Sequence, residues 1–315
     1  MSPEVSLREI YGQTLVELGR ENPDIVVLDA DLSKSTMTQF FAKEFPERFF
    51  NCGIAEQNMV SIAAGLAASG KISFASTFAV FIPGRCFDQV RMCVAQPQLN
   101  VKLVVTHGGI TVGEDGTSHQ AIEDLSLACS LPGLNVIVPA DAIETAQAVK
   151  TAAATFGPFY IRLCRPKALL VHDQSYHFKL GKAVTLREGQ DAAIMAIGLM
   201  VAPALEAAAK LKRDGINSTV LNMSTLKPIE EAAIIKASAE TGAIVTAEEH
   251  LEHGALGSMV AQVVAKNQPV PMEFVAIKDT YAQSGKPAEL LERYGLTAKD
   301  IEQAVRRVIA RAKPR

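Results

Sequence analysis

The chain has 315 residues, of which 48% are hydrophobic, so it can bury a large core, and its length predicts about two domains. A formal net charge of −3 gives no electrostatic footprint for nucleic acid, and no basic amphipathic stretch indicates a membrane surface. Because the N-terminus lacks an apolar signal core and no uncharged apolar run could span a bilayer, we expect a cytoplasmic protein. The five cysteines are scattered without metal-type spacing, which predicts reduced thiols in the core.

Short β-branched runs alternate with longer helical patterns in the first half of the chain, which is typical of a parallel α/β sheet. The predicted strands of this block are Ile25–Leu28, Ile72–Ala75, Lys102–Thr106, Asn135–Val138 and Tyr160–Leu163. The predicted helices are Ser6–Arg20, Glu56–Ser69, Arg85–Ala95, Ala121–Cys129 and Ala142–Ala154. We therefore predict a first domain over residues 1–168.

The alternation stops after Arg165, where an irregular and polar stretch follows. We interpret residues 169–190 as an interdomain linker and residues 191–315 as a second α/β domain. The predicted strands of the second domain are Ala193–Ala196, Ser218–Leu221, Ala243–Thr246 and Glu273–Ala276. Its predicted helices are Ala202–Asp214, Ile229–Ser238, Gly257–Lys266 and Thr297–Ala312.

A single carboxylate, Glu56, stands at the start of an otherwise apolar helical stretch that continues to Ala67. Burying an ionised Glu without a partner is costly. We therefore expect Glu56 to be paired with a cation, protonated or directed at a ligand.

A loop rich in glycine and histidine directly follows the strand predicted at Lys102–Thr106. This histidine loop (residues 106–120) contains four glycines and the side chains of His107 and His119. Open α/β sheets bind ligands at the carboxyl ends of their strands, and histidine can exchange protons near neutral pH. A tight turn with surface histidines explains the same residues, so this pattern leaves both interpretations open.

Phe78 and Phe81 follow another predicted strand in a chain that is only 6% aromatic. Such residues commonly belong to the core. Stacking against a flat heteroaromatic ring is the alternative.

Several kinds of site are not supported by the sequence. There is no Gly-x-Gly-x-x-Gly motif after a strand and no Gly-Lys-Ser/Thr phosphate loop, so nucleotide binding of those kinds is not predicted. The spacing of His250 and His253 beside Glu248 and Glu249 is the one metal-like pattern. Because a glycine-rich segment follows it, we interpret this run as a solvated turn between a strand and a helix and predict no metal site in the chain.

Taken in order along the chain, these segments resemble the pyrimidine-binding and C-terminal domains of the transketolase family. The resemblance implies two consecutive three-layer α/β domains with mostly parallel sheets. The segments that carry it are Asp29–Ser35, Gly53–Gln57, Thr77–Phe81, Thr106–His107, Gly113–Gln120, Leu131–Asp141, Arg162–Pro166, Ala247–Gly257 and Tyr281–Leu291.

The resemblance also implies a site for thiamine diphosphate. Glu56 would be the catalytic carboxylate that binds a ring nitrogen of the cofactor's aminopyrimidine and favours its imino tautomer. Phe81, with Phe78 nearby, would stack against that ring. Asp31 matches a position close to the cofactor and to a subunit interface.

The substrate residues implied by the resemblance lie mainly in the histidine loop. His119 and Asp115 would contact sugar hydroxyls, and His107 would help to handle the protons of those hydroxyls. Arg165 would bind the substrate phosphate, since guanidinium geometry suits phosphate oxygens. Arg8 and Ser35 match positions that assist there.

Two departures from the family pattern bear on the function. Many transketolases have Arg-Glu-His where this chain has Ala55, Glu56 and Gln57, a form seen in deoxyxylulose phosphate synthases. The chain also begins at the pyrimidine-binding domain and lacks the Gly-Asp-Gly motif and later Asn that hold Mg²⁺ in full-length family members. The resemblance therefore implies the C-terminal subunit of a split transketolase, which transfers a two-carbon ketol unit from a ketose phosphate to an aldose phosphate. A separate N-terminal subunit would hold the diphosphate and Mg²⁺, in a heterotetramer around a homodimeric core.

Three alternatives stay open at the level of sequence. They are the β subunit of a 2-oxo acid dehydrogenase's decarboxylating component, a split 1-deoxy-D-xylulose-5-phosphate synthase, and a catalytically silent subunit that completes a partner's fold. The histidine loop favours transketolase over the first, and the joint presence of Glu56, His107, Asp115, His119 and Arg165 argues against the last. Pentose phosphates are the default substrates, and the sequence does not reveal the donor or the acceptor.

Overall fold

The computed structural model describes residues 3–312, which are built around two sheets of mostly parallel strands. The strands of the first half are β1 (Glu4–Val5), β2 (Ile25–Asp29), β3 (Phe49–Asn51), β4 (Ile72–Phe78), β5 (Val101–Thr106), β6 (Asn135–Ile137), β7 (Phe159–Arg162) and β8 (Ala168–Leu169). The helices of this half are α1 (Leu7–Glu21), α2 (Ser33–Thr36), α3 (Gln39–Glu44), α4 (Glu56–Ala68), α5 (Phe87–Gln89), α6 (Asp124–Ser130) and α7 (Ala142–Ala154). Shorter or wider helical turns cover Pro46–Arg48, Val80–Arg85, Val90–Ala95 and Ile110–Asp115.

The second half repeats the α/β pattern with its own sheet. Its strands are β9 (Val184–Arg187), β10 (Ala192–Ala196), β11 (Ser218–Asn222), β12 (Thr225–Lys227), β13 (Ile244–Leu251) and β14 (Met272–Ile277). Its helices are α8 (Val201–Arg213), α9 (Glu231–Thr241), α10 (Leu256–Asn267), α11 (Pro287–Arg293) and α12 (Ala298–Arg311), with a short turn at Gly198–Met200.

The strand orders confirm the predicted fold class of mostly parallel α/β sheets. The first sheet has the order β12-β6-β7-β5-β4-β2-β3, and the second has the order β14-β13-β10-β11-β9. The central strands are buried along their length, and helices lie against both faces. This arrangement explains why these strands read as continuous apolar runs rather than as alternating ones.

The predicted helix at Ala121–Cys129 begins later than expected, at Asp124. Ala121 is engaged elsewhere: it forms a bridge with Gly108, and its carbonyl accepts a hydrogen bond from Gly109 N at 2.8 Å. Its backbone therefore serves the histidine loop instead of a helical turn.

Two strands cross the predicted boundary between the domains. The strand β9 lies inside the predicted linker of residues 169–190, yet it pairs with β11 in the second sheet. In the other direction, β12 pairs with β6 at the edge of the first sheet. Both strands are only three or four residues long. Such segments carry little periodicity, so the pairing decides their structure.

The linker also contributes a buried histidine at the junction of the two domains. The carboxylate of Asp141 accepts hydrogen bonds from the backbone of His172 at 2.8 Å and lies 3.1 Å from its ring Nδ1. Glu144 accepts hydrogen bonds from Tyr176 and from Asn222 of β11. The predicted polar linker is therefore partly an internal polar network, and each carboxylate in it has donors.

The stability of this junction is expected to depend on pH. Burial alone would lower the pKa of His172, but the hydrogen bond of its ring to Asp141 and the charges of Glu144 and Asp141 outweigh burial and raise it above its ordinary value of 6.5. A raised pKa stabilises the fold fully below pH 6.5, and that stabilisation is lost as the pH rises through the folded-state pKa. Burial would raise the pKa of Asp141, but its bonds from His172 lower it, so Asp141 stays ionised across this range.

We therefore expect the His172→Gln variant to lose more stability in mild acid than in base. The melting temperature gap to the wild type should be about 3 °C near pH 6, on the order of 1 kcal/mol, and should shrink towards pH 9. Thermal unfolding of both proteins across this range measures it. A gap that widens with rising pH would contradict a protonated His172.

Candidate active site

The carboxyl edge of the first sheet brings together residues that are far apart in sequence. The strands β4, β5 and β7 are parallel neighbours. Phe78 ends β4, His107 directly follows β5, and Arg165 lies three residues after β7. Because parallel strands end at one edge, these side chains meet where such sheets bind ligands.

Glu56 is the first residue of α4, and it is only 2% exposed. Its two carboxylate oxygens accept hydrogen bonds from Arg85 Nη1 at 3.0 and 2.9 Å. Of the three possibilities that the sequence left open, the structure shows pairing with a cation. The Arg85 side chain is 46% exposed, so one side of the ion pair faces the surface.

Arg85 was not among the predicted site residues. Its signal is a charge pattern: after Lys71, the chain carries no charged residue until Arg85. The guanidinium also lies over the ring of Phe81, 4.3 Å from its centroid. Arg85 therefore connects the buried carboxylate to the aromatic residues of the site.

The aromatic residues form one continuous group with the two histidines. Phe78 stacks against His107 with 3.8 Å between ring centroids, and Phe78 and Phe81 are nearly parallel with 6.0 Å between theirs. His119 approaches the edge of both phenylalanines, at 6.2 and 5.7 Å. Phe78 is buried, whereas Phe81 is half-buried. Phe81 is thus the more exposed ring of the pair, and the Arg85 guanidinium covers one of its faces.

His107 is held in a strained and electropositive position. Its backbone has φ of 61°, in the left-handed region that non-glycine residues rarely adopt, and the residue is 4% exposed. Burial lowers its pKa to about 3, and the charges of Arg8, Arg165 and His119 act in the same direction. The imidazole is therefore neutral near pH 7. Its Nδ1 lies 2.8 Å from Thr106 Oγ1, so this ring nitrogen is engaged within the chain.

Two arginines lie beside this histidine. Arg8 donates a hydrogen bond to the carbonyl of Ser35 at 2.7 Å, so Ser35 joins the site through its backbone. Arg165 Nη1 donates to the carbonyl of Val112 and lies 3.8 Å from Asp115 Oδ2. The histidine loop is therefore held by Arg165, three residues after β7, through a hydrogen bond to its backbone.

Asp31 stands apart from this group. It follows β2, two strands away from β5, and its carboxylate accepts a hydrogen bond from Asn51 Nδ2 at 2.9 Å. Asp31 therefore lies along the same sheet edge but apart from the other predicted residues. The structure brings the others together, directly or through Arg85: Glu56, Phe78, Phe81, His107, His119, Arg8, Ser35, Asp115 and Arg165.

For Glu248, Glu249 and His250 the interpretation as a solvated turn was wrong, whereas His253 is exposed in the turn between β13 and α10, as predicted. The first three residues belong to β13 and are at most 3% exposed. Glu248 accepts hydrogen bonds from the first two amides of α10, Glu249 accepts one from Thr111, and His250 accepts one from Ser126. Polar residues can be buried here because each has a partner.

A few further observations concern residues 3–312 as a whole. No group of three or more His, Cys, Asp or Glu side chains in this part of the chain is arranged to hold a metal ion. Every helix within the described range is too short or too polar to cross a membrane. All five cysteines are free thiols.

Family models identify both halves of the chain. Residues 3–169 match the transketolase pyrimidine binding domain, and residues 181–301 match the transketolase C-terminal domain. The fold and the site thus define a two-domain unit that pairs a pyrimidine-binding domain with a C-terminal α/β domain. The chain belongs to the transketolase family, whose members are transferases.

The similar proteins include chains of the same extent. A Methanocaldococcus jannaschii protein, provisionally named a transketolase C-terminal section, is 46% identical over 302 residues that cover 95% of each chain. A 6-deoxy-6-sulfo-D-fructose transketolase subunit of a Clostridium species is 42% identical over 97% of this chain and 95% of its own. A solved structure of a split-gene transketolase, described as an inactive β4 tetramer, is 51% identical with a TM-score of 0.92 and is covered completely.

Proposed function

We propose that this chain is the C-terminal subunit of a two-component transketolase. With an N-terminal subunit it transfers a two-carbon ketol unit from a ketose phosphate to an aldose phosphate, using thiamine diphosphate. The observation that carries the proposal is the continuous group from Glu56 through Arg85 and Phe81 to His107 and its two arginines. The match over nearly the full length of a transketolase C-terminal section supports it.

The residues present fit the pyrimidine ring of thiamine diphosphate. A buried carboxylate at a helix start and a half-buried aromatic ring are joined by one arginine, which places an acceptor beside a stacking face. Glu56 would hold the proton at the ring nitrogen, and Phe81 would stack on the ring with Phe78 behind it. The chemistry that thiamine diphosphate supplies is the cleavage of a carbon–carbon bond next to a ketose carbonyl.

The histidine loop and the two arginines would bind the sugar phosphate. Since His107 is neutral, it can exchange a hydrogen bond with a sugar hydroxyl without adding charge. Asp115 and His119 would contact further hydroxyls. Arg165 would bind the phosphate through its planar guanidinium, and Arg8 with Ser35 would assist from the other side of His107.

The remaining parts of the site are proposed to come from the partner. Mg²⁺ and the diphosphate would be held mainly by the N-terminal subunit. Asp31 would lie near the cofactor at a subunit interface. We further propose a heterotetramer around a homodimeric core, a cytoplasmic location and pentose phosphates as substrates. The sulfofructose activity in the name of the Clostridium relative makes other sugar donors the first to test after pentose phosphates.

We expect the chain to have no ketol transfer activity alone and to gain it when the N-terminal subunit is added. The physical reason is that Glu56 and Phe81 contact one end of the cofactor, while the charged end needs its own site. The assay measures ketol transfer with thiamine diphosphate and Mg²⁺ for the chain, for the separate N-terminal chain and for their equimolar mixture.

Equal activity of the chain alone and of the mixture would refute the two-component proposal. Release of carbon dioxide from a 2-oxo acid, without ketol transfer, would instead favour the 2-oxo acid dehydrogenase alternative. Both readouts come from the same three samples.

A further inference from the structure

Two segments of the second domain have no part in the proposed function, although both contact the histidine loop. The first is the end of β13, which includes Glu249. The second is the stretch of residues 281–285 between β14 and α11, which is exposed apart from the buried Ala282 and the half-buried Gly285. They lie in the segments Ala247–Gly257 and Tyr281–Leu291, which carry the family resemblance but have no role in binding the pyrimidine ring or the phosphate.

Glu249 reaches across the domain boundary into the histidine loop. Its Oε1 accepts a hydrogen bond from the backbone amide of Thr111 at 2.7 Å, and both residues are buried. The carboxyl group also lies against Gly109, where an added Cβ would come within 2.1 Å of Glu249 Cδ. Gly109 also has φ of 82°, a backbone conformation that favours glycine. Both its conformation and the lack of space for a side chain therefore require glycine at this position.

A buried arginine, Arg162, lies near this carboxylate, and its charge partly offsets the burial that raises the pKa of Glu249. Arg162 donates hydrogen bonds to the carbonyls of Ala121 and Glu249, each at 3.0 Å, and its Nε lies 2.9 Å from Asp124 Oδ2. Its side chain lies directly beside Gly108, where a Cβ would be 2.4 Å from Nε. Arg162 therefore links both ends of the histidine loop to β13.

The second segment holds the other end of the loop. Thr117 Oγ1 donates to the carbonyl of Ala282 at 3.2 Å, and Gln120 Nε2 donates to the carbonyl of Gln283 at 2.9 Å. These contacts fall on either side of His119. Apart from the helical turn at Ile110–Asp115, the loop has no regular structure of its own, so these partners in the second domain add to the contacts with Arg165 and Ala121 that fix its path.

We propose that Glu249 is a positioning residue for the substrate residues of the histidine loop. The inference rests on the proposed function, and it gives the C-terminal domain a part in the reaction. Glu249 touches neither cofactor nor substrate. It fixes the Thr111 amide, between His107 and Asp115, and thereby sets the distance between these two side chains and the ring of Phe78.

Two substitutions of similar size separate the effect of the Glu249 charge from that of its hydrogen bond to Thr111. Glu249→Gln keeps an oxygen that can accept from Thr111 but removes the charge, whereas Glu249→Met leaves the amide of Thr111 without an acceptor. In the assembled complex we expect the KM for the ketose phosphate to rise about threefold with Gln and about tenfold or more with Met. The affinity for thiamine diphosphate should stay unchanged. Hydrogen exchange of residues 109–120 should accelerate in the same order.

Glu248→Gln is the matched control. Glu248 is the neighbouring buried carboxylate of β13, and it bonds the amides of Leu256 and Gly257 at the start of α10 instead of the loop. Its replacement should lower the melting temperature without changing the KM or the exchange of residues 109–120. Thr117→Val tests the second contact at an exposed position, where folding is not at risk, and should raise the KM about twofold.

Unchanged loop exchange in both Glu249 variants would overturn the inference. So would a reduced rate with an unchanged KM, because a purely structural loss lowers the active fraction and leaves the KM of the remaining enzyme as it was. If the wild-type complex transferred no ketol unit, the proposed function would fail, while the exchange comparison would still decide whether Glu249 holds the loop.

Discussion

Replacing Glu56 by Gln is expected to lower ketol transfer by the assembled complex at least about a thousandfold. The amide has nearly the shape of the carboxylate, so the start of α4 should keep its structure. It cannot share a proton with a ring nitrogen in the way a carboxyl group can. The measurement is the turnover number at saturating thiamine diphosphate and sugar phosphate.

The loss of an ion pair must be separated from the loss of chemistry. Glu56 pairs with Arg85, so the substitution also removes the negative charge that this arginine pairs with. Glu44→Gln is a suitable control, because Glu44 forms a two-point pair with Arg20 at 2.6 and 2.8 Å on the surface, away from the site. Its variant should keep turnover within about twofold of the wild type, since exposed ion pairs contribute little to stability.

Turnover of Glu56→Gln within tenfold of the wild type would remove the cofactor assignment. A second measurement gives the result a structural basis: the variant should melt within a few degrees of the wild type. If the variant is folded but inactive, the loss is in the chemical step. If it is unfolded, Glu56→Asp takes its place, because this substitution keeps the charge and only shortens the side chain.

The sequence predicted the position of the site because of a general property of parallel sheets. Phe78, His107 and Arg165 each follow a predicted strand, and once the strands are parallel neighbours, their carboxyl ends must converge. Short runs rich in β-branched and aromatic residues identified β4, β5 and β7, although each also contains a buried polar or charged residue. Local pattern and simple topology predicted that these residues lie at strand ends, whereas the roles proposed for them rest on the family resemblance.

Contacts between distant residues could not be predicted in the same way. The pairing of Glu56 with Arg85 depends on how the turn at Val80–Arg85 leaves β4, and the sequence showed only that a lone charge was present. Glu249 looked like a residue of a solvated turn, because its partner Thr111 lies 138 residues earlier in the chain. Burial of a polar side chain depends on its partner, and the partner is a property of the fold.

The same reasoning explains the linker. His172 lies in a polar stretch, and polar stretches between domains are commonly exposed. Here the carboxylate of Asp141 accepts from the backbone and faces the ring of His172, so the residue is buried. Asp141 also caps α7 by accepting a hydrogen bond from the amide of Glu144, and neither this contact nor the one with the linker was predicted from the sequence.

A second large effect is expected at Arg165. Substitution by Met should lower kcat/KM for a phosphorylated ketose about a hundredfold, while kcat/KM for the same ketose without phosphate should change less than about threefold. The guanidinium is 36% exposed, and its side chain lies 3.6 Å from Glu114 and 3.8 Å from Asp115. These contacts are long for ion pairs, so the cation is available to phosphate oxygens. The ratio of the two kcat/KM values isolates the phosphate contribution.

Two comparisons sharpen this experiment. Arg165→Lys keeps the charge but loses the planar pair of donors, so it should lie between the wild type and Met, near a tenfold loss, because bidentate geometry contributes alongside charge. Arg8→Met removes the other arginine beside His107 and should give a smaller loss than Arg165→Met, since Arg8 already donates to the carbonyl of Ser35.

An equal loss for both ketoses would show that Arg165 acts differently. Its Nη1 also donates to the carbonyl of Val112, so it could act by fixing the histidine loop rather than by binding phosphate. In that case, the KM would rise for every donor and the loop would exchange faster, as expected for Glu249→Met. A phosphate-binding role instead makes the KM of the wild type rise with ionic strength and makes that dependence weaker in Arg165→Met, because salt screens the attraction between an exposed cation and a dianion.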